Sequence, residues 1–94
     1  MKISQVISKK LQLTLKGAIL IEQKVKSIMS KILKIPEAEI HAESSPDDIE
    51  TWDSLQHINL VLGLEQSFGI TFDEEEIIQL LSYEIILATI NEKV

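Results

Sequence analysis

Apolar residues in this chain recur at intervals of three and four far more often than at two, and few glycines or prolines interrupt them. No Asn-Gly or Asp-Gly hairpin signal appears, so the pattern predicts an all-α fold. The clearest stripe lies in residues 18–34. There Ile21, Val25, Ile28, Met29, Ile32 and Leu33 follow i, i+4, i+7, i+8 spacing, with Lys24, Lys26, Lys31 and Lys34 off the stripe. This predicts a first helix buried along one face, with lysines suited to its C-terminal dipole and Pro36 preventing its continuation. A second helix is predicted over residues 54–68. Leu55, Ile58, Leu62 and Phe68 mark its apolar positions, and Leu60, Val61 and Leu64 widen the stripe. So broad a face suits a central helix touching several neighbours; Leu55 and Leu62 are either part of that core or exposed contacts for a partner. Gly69 ends the helix as a C′ glycine. The acids Asp73, Glu74, Glu75 and Glu76 then open a short third helix ending near Leu81, by capping and by the dipole. Ser82 caps a fourth helix carrying Tyr83, Ile86, Leu87 and Ile90. Four helices, the third shortest, make a bundle.

Between the first two helices lies IPEAEIHAESSPDDIETW, residues 35–52, whose sparse apolar anchors are Ile35, Ile40, Ile49 and Trp52. A connection of this length is unusual in a compact domain and commonly has a function. It delivers the chain to Trp52-Asp53-Ser54-Leu55-Gln56-His57-Ile58. Asp53 reads as an N-cap, with Gln56 placed to reach back in a capping box. Ser54 then occupies the first helical position, exposed and close to the positive end of the helix dipole, where a phosphodiester is electrostatically favoured. Trp52 is expected to pack the loop against the helix it introduces.

Composition narrows the picture. Ninety-four residues with 45% hydrophobic and only four aromatics, Trp52, Phe68, Phe72 and Tyr83, make one small domain with an aliphatic core. Residues 1–17 are basic, carry no acid and show no single period; they read as a flexible N-terminal arm attached to a domain spanning 18–94. Their polar interruptions argue against a secretory signal. With no cysteine there are neither disulfides nor thiolate metal ligands, and His41 and His57 do not make a metal site by themselves, so no metal is expected. Acid placement in 73–76 lacks the alternation and glycine of a calcium loop. Residues 1–36 hold eight lysines against Glu22, or plus seven, whereas residues 37–94 hold fourteen acids against Lys93, or minus thirteen; together they give the net charge of −6. The acidic part disfavours nucleic acid and anionic membrane and steers encounters toward basic partner surfaces. No apolar run approaches a spanning helix.

Asp53-Ser54-Leu55 resembles the Asp-Ser-Leu motif of acyl and peptidyl carrier proteins, whose serine carries 4′-phosphopantetheine. The resemblance covers about residues 20–93. It includes the apolar anchors Ile21, Val25, Ile28 and Met29 before the loop, the loop length, and the Phe68-Gly69-Ile70 close of the second helix. It implies a four-helix bundle of acyl-carrier type and a non-catalytic, cytoplasmic, monomeric protein. A separate phosphopantetheinyl transferase would use coenzyme A to modify Ser54, with Asp53 and Leu55 completing the cofactor motif. The arm would then hold acyl or aminoacyl groups as thioesters. Leu55 and Leu62 match the family's exposed apolar contact, and Glu65 and Glu75 its acidic surround, offered to acyl-loading, synthase or acyltransferase enzymes with basic docking surfaces. Asn59 and Gln66 stand where acids are common, and Trp52 where fatty-acid carriers have a small residue. These departures suggest fatty-acid-like, polyketide or other specialised biosynthesis rather than bulk lipid synthesis. Two other classes compete. One is a helical interaction module without a prosthetic group. The other is a hydrolase using Ser54 with His57, which lacks an evident third member to orient the histidine.

Overall fold

A computed structural model describes the backbone of residues 2–94 and the side chains of residues 17 and 19–94. Four α-helices succeed one another: α1 (Lys2–Leu33), α2 (Ser54–Phe68), α3 (Glu74–Gln79) and α4 (Tyr83–Lys93); no strand occurs among the described residues. The expected all-α, four-helix architecture is therefore the one observed, with α3 shortest. One boundary differs. The first helix, expected from residue 18, runs unbroken from Lys2.

Helix α1 is the element against which α2 and α4 pack. Val25, Met29 and Leu33 on it are completely buried, beside Leu60, Val61 and Leu64 of α2 and Ile86 and Ile90 of α4. Each such aliphatic side chain contributes about 1.5–3 kcal/mol by leaving water. Tyr83, also buried, donates its hydroxyl to the carbonyl of Glu22 at 3.4 Å, tying α4 back to α1.

The phase of α2 decides between the two readings of Leu55 and Leu62 and sets Ile58 beside them. Its core face is Leu60, Val61 and Leu64 with Phe68 half-buried, whereas Leu55, Ile58 and Leu62 are exposed. Both sets obey helical spacing, so periodicity alone cannot choose between them; the choice is made by the stripe that α1 and α4 offer.

Helix α1 ends where Lys34 adopts a left-handed conformation at φ 57°, and Ile35 N–H reaches back to the carbonyl of Ser30 at 3.3 Å. This six-to-one closure uses a carbonyl that the helix end would otherwise orphan. Pro36 comes next and starts a 3₁₀ turn over Glu37–Glu39. The long loop is then pinned at several points. Ile40, Ile49 and Trp52 are buried, as expected of its anchors, and Ile35 is half-buried. Thr51 Oγ1 donates to the carbonyl of Leu33, and the carbonyls of Ser44 and Ala42 accept the N–H groups of Tyr83 (3.1 Å) and Glu84 (3.0 Å) at the head of α4. The loop thus satisfies donors that α4 cannot satisfy itself, and its far end is delivered to a fixed place.

Candidate functional site

That fixed place is the start of α2. Asp53 is extended (φ −97°, ψ −176°), and its Oδ1 accepts the backbone N–H of Gln56 at 2.9 Å, as an N-cap should. The reciprocal half of the expected capping box is absent. The backbone N–H of Asp53 donates to the carbonyl of Thr51 at 3.0 Å, and the Gln56 amide oxygen accepts from Asn59 at 3.2 Å instead. A full capping box does form at α3, where Asp73 and Glu76 each accept the other's backbone N–H at 2.8 and 3.0 Å.

Ser54, the first residue of α2, is exposed, and its hydroxyl makes no hydrogen bond among the described residues. Beside it opens a cleft of about 520 Å³ lined by Pro46, Trp52, Asp53, Ser54, His57, Ile58 and Leu81. Its walls are mostly apolar, a size and lining suited to a small flexible group. A phosphodiester on Ser54 would stand in water near the unpaired N–H groups of the first turn, with an apolar trough beside it for the remainder of the prosthetic group. The residues present therefore fit a phosphopantetheine attachment.

His57 does not serve Ser54. Its Nδ1 accepts the indole Nε1–H of Trp52 at 3.1 Å, its Nε2 lies 2.8 Å from the carbonyl of Ile77, and the Trp52 and His57 rings stack with centroids 6.1 Å apart. Both nitrogens are occupied, so the imidazole has no free lone pair with which to activate a hydroxyl, and the hydrolase alternative loses its base. The sequence predicted burial of Trp52, which is 2% exposed, but missed this pairing. A signal was present: Trp52 is the N′ residue and His57 the N4 residue of α2, the two positions joined by a hydrophobic staple.

Of the side chains expected to meet partners, Leu55 and Leu62 are 65% and 50% exposed on the face of α2 away from the core, with Ile58 beside them. Glu75 is exposed at the head of α3. Glu65 is half-buried, and its Oε2 accepts the backbone N–H of Phe72 at 2.9 Å, so its carboxylate is committed to the connector between α2 and α3. Glu76 is held below the usual glutamate range, first by the Asp73 backbone N–H and then by Lys93, whose Nζ lies 2.9 Å away. His41 is an exposed loop residue; its backbone N–H, not its ring, is engaged by Ser44 Oγ at 2.7 Å. No group of three or more His, Cys, Asp or Glu capable of holding a metal occurs among the described residues, and no described helix is long and apolar enough to cross a membrane.

Comparison with known proteins agrees with this geometry. Residues 23–90 match the family described as "Phosphopantetheine attachment site". The chain is also 32% identical over 72 residues to an acyl carrier protein of Petrotoga mobilis (strain DSM 10674 / SJ95), an alignment covering 76% of this chain and 84% of the relative.

Proposed function

The chain belongs to the acyl carrier family defined by a phosphopantetheine attachment site, and from that membership we propose that Ser54 is the residue that bears the 4′-phosphopantetheine. The chain is a non-catalytic carrier whose covalent cofactor is 4′-phosphopantetheine, and its partners are a phosphopantetheinyl transferase and the synthase-type enzymes that use carriers. Family membership decides against the prosthetic-group-free interaction module.

The observation that supports Ser54 is its position: an exposed hydroxyl at the first turn of α2, next to an apolar cleft, in a chain without cysteine. The bound cofactor supplies the thiol that this chain lacks, on which acyl or aminoacyl groups travel as thioesters. What the chain itself contributes is placement. Asp53 caps the helix that presents Ser54, the pinned loop holds that corner rigid, and Leu55 flanks it for partner contact. Attachment to an otherwise inert domain gives the cargo a high effective concentration at a docked enzyme.

The cargo pathway proposed is specialised biosynthesis of fatty-acid-like, polyketide or related type. Exposed Asn59 and Gln66, where carriers commonly have acids, and Trp52 ahead of the motif support a partner set different from that of bulk lipid synthesis. The protein is proposed to work as a cytoplasmic monomer, and residues 1–17 as an appendage, since the family match begins at residue 23. To test the attachment, incubate the apo protein with coenzyme A, magnesium and a broad-specificity transferase. A phosphopantetheine mass increment in wild type and none in Ser54→Ala is expected; an increment that survives Ser54→Ala removes the assignment.

A further inference from the structure

We infer that Trp52, His57 and Ile77 form a clamp that makes His57 a positioning residue for the enzymes that engage Ser54. The inference rests on Ser54 being the attachment residue. A carbonyl can only accept, so the bond to Ile77 requires the hydrogen on Nε2 of His57. Nδ1 is then left bare to accept the indole N–H, which can only donate. The three groups therefore satisfy one another with a single tautomer.

The mechanical consequence lies in what the clamp joins. His57 sits one turn beyond Ser54 on α2, and Ile77 lies in the last turn of α3, a helix of only six residues. A helix so short has no stability of its own in water and stays where its neighbours hold it. At its head α3 is held through the Glu65 bond to Phe72, and on its flank through Lys93 and Glu76. Toward its tail, among the described residues, the side-chain hydrogen bond from α2 is that of His57. Leu81, just past that tail, forms one wall of the cleft beside Ser54, and Trp52 forms another. Buried Leu80 seats this tail in the core, and one imidazole then bonds both the indole of one wall and the helix that leads to the other.

A partner that reaches Ser54 meets α2 and the tail of α3 already spaced. Without the clamp it must order α3 and the indole itself, a cost that appears in binding rather than in the chemical step.

The test uses the full-length apo protein as the varied substrate of a phosphopantetheinyl transferase with saturating coenzyme A and magnesium. His57→Ala is expected to raise KM about tenfold while kcat stays within about twofold, and His57→Gln, whose amide can accept and donate, to recover most of the loss. Trp52→Phe, which keeps an aromatic wall but removes the indole donor, is expected to raise KM by an intermediate factor. Wild-type KM in both His57→Ala and Trp52→Phe overturns the inference, as does a fall in kcat with KM unchanged. Should His57→Ala not fold, Trp52→Phe decides by the same criterion. Absence of any modification in the wild type would instead strike at the assignment of Ser54.

Discussion

The carboxylate of Glu65 accepts the backbone N–H of Phe72 at 2.9 Å, so an acid on the edge of the exposed face of α2 also closes the connector that leads into α3. Glu75, in the acidic first turn of α3, has no such duty and is exposed. Charge reversal should separate the two. Glu75→Lys is expected to leave stability within about 0.5 kcal/mol and to slow transfer to basic partners, more at low salt. Glu65→Lys should in addition lower stability by about 1–3 kcal/mol, because a half-buried N–H loses its acceptor. Thermal melts and salt-dependent transfer rates check both; equal rates at every ionic strength would remove electrostatic steering.

The two leucines Leu62 and Leu64 are near neighbours in sequence with opposite fates, exposed and fully buried respectively. Leu64→Ala should cost about 2–5 kcal/mol, whereas Leu62→Ala should cost within about 0.5 kcal/mol and show itself as slower transfer to partner enzymes. Urea denaturation of the two variants measures the contrast.

Much of this fold is legible in the residues alone. The stripe Ile21, Val25, Met29, Leu33 packs into the core as its spacing requires, the anchors Ile40, Ile49 and Trp52 are buried, and Asp53, Asp73, Ser82 and Gly69 sit at the helix ends their chemistry indicates. Helix α2 is harder, because a helix apolar on most of its circumference carries two stripes and nothing local prefers one. The start of α1 is harder still: Leu11, Leu13 and Leu15 alternate like a strand, while Ile3, Ile7 and Leu11 keep helical spacing, and local periodicity cannot arbitrate. The Trp52 and His57 pairing is signalled only by their N′ and N4 positions and is easily passed over. The polar signal of this helix start falls on its N-cap and N3 residues, whereas the clasp joins the N′ and N4 residues of the same turn.

Two helices end with a left-handed residue, one with the side chain suited to it and one without. Gly69 has φ 64° and Lys34 φ 57°. Gly69→Ala is expected to destabilise by about 1 kcal/mol, and Lys34→Gly to stabilise by a few tenths up to about 1 kcal/mol, since the relieved strain exceeds the added freedom of the unfolded chain. Opposite signs in the two melting shifts are the expected result.

Glu76 supplies a pH signature. Its folded carboxyl titrates below the ordinary glutamate value because the Asp73 backbone N–H and Lys93 favour the charged form. A group with a depressed folded value contributes stability above its unfolded value, and that contribution is lost as the pH falls through the folded one. Carbon-detected titration should place Glu76 below an unstructured glutamate. Lys93→Ala should move it partway back, leaving the backbone effect. A normal titration in the wild type would contradict the cap and ion pair together.

The most direct test of the central claim is the mass of the Ser54 peptide in protein purified from the cell that makes it. After digestion, the peptide containing Asp53-Ser54-Leu55 should carry a phosphopantetheine increment, fragmentation should place it on Ser54, and any acyl or aminoacyl group should add to that same mass. An unmodified Ser54 peptide beside a phosphopantetheine increment at another residue would contradict the account.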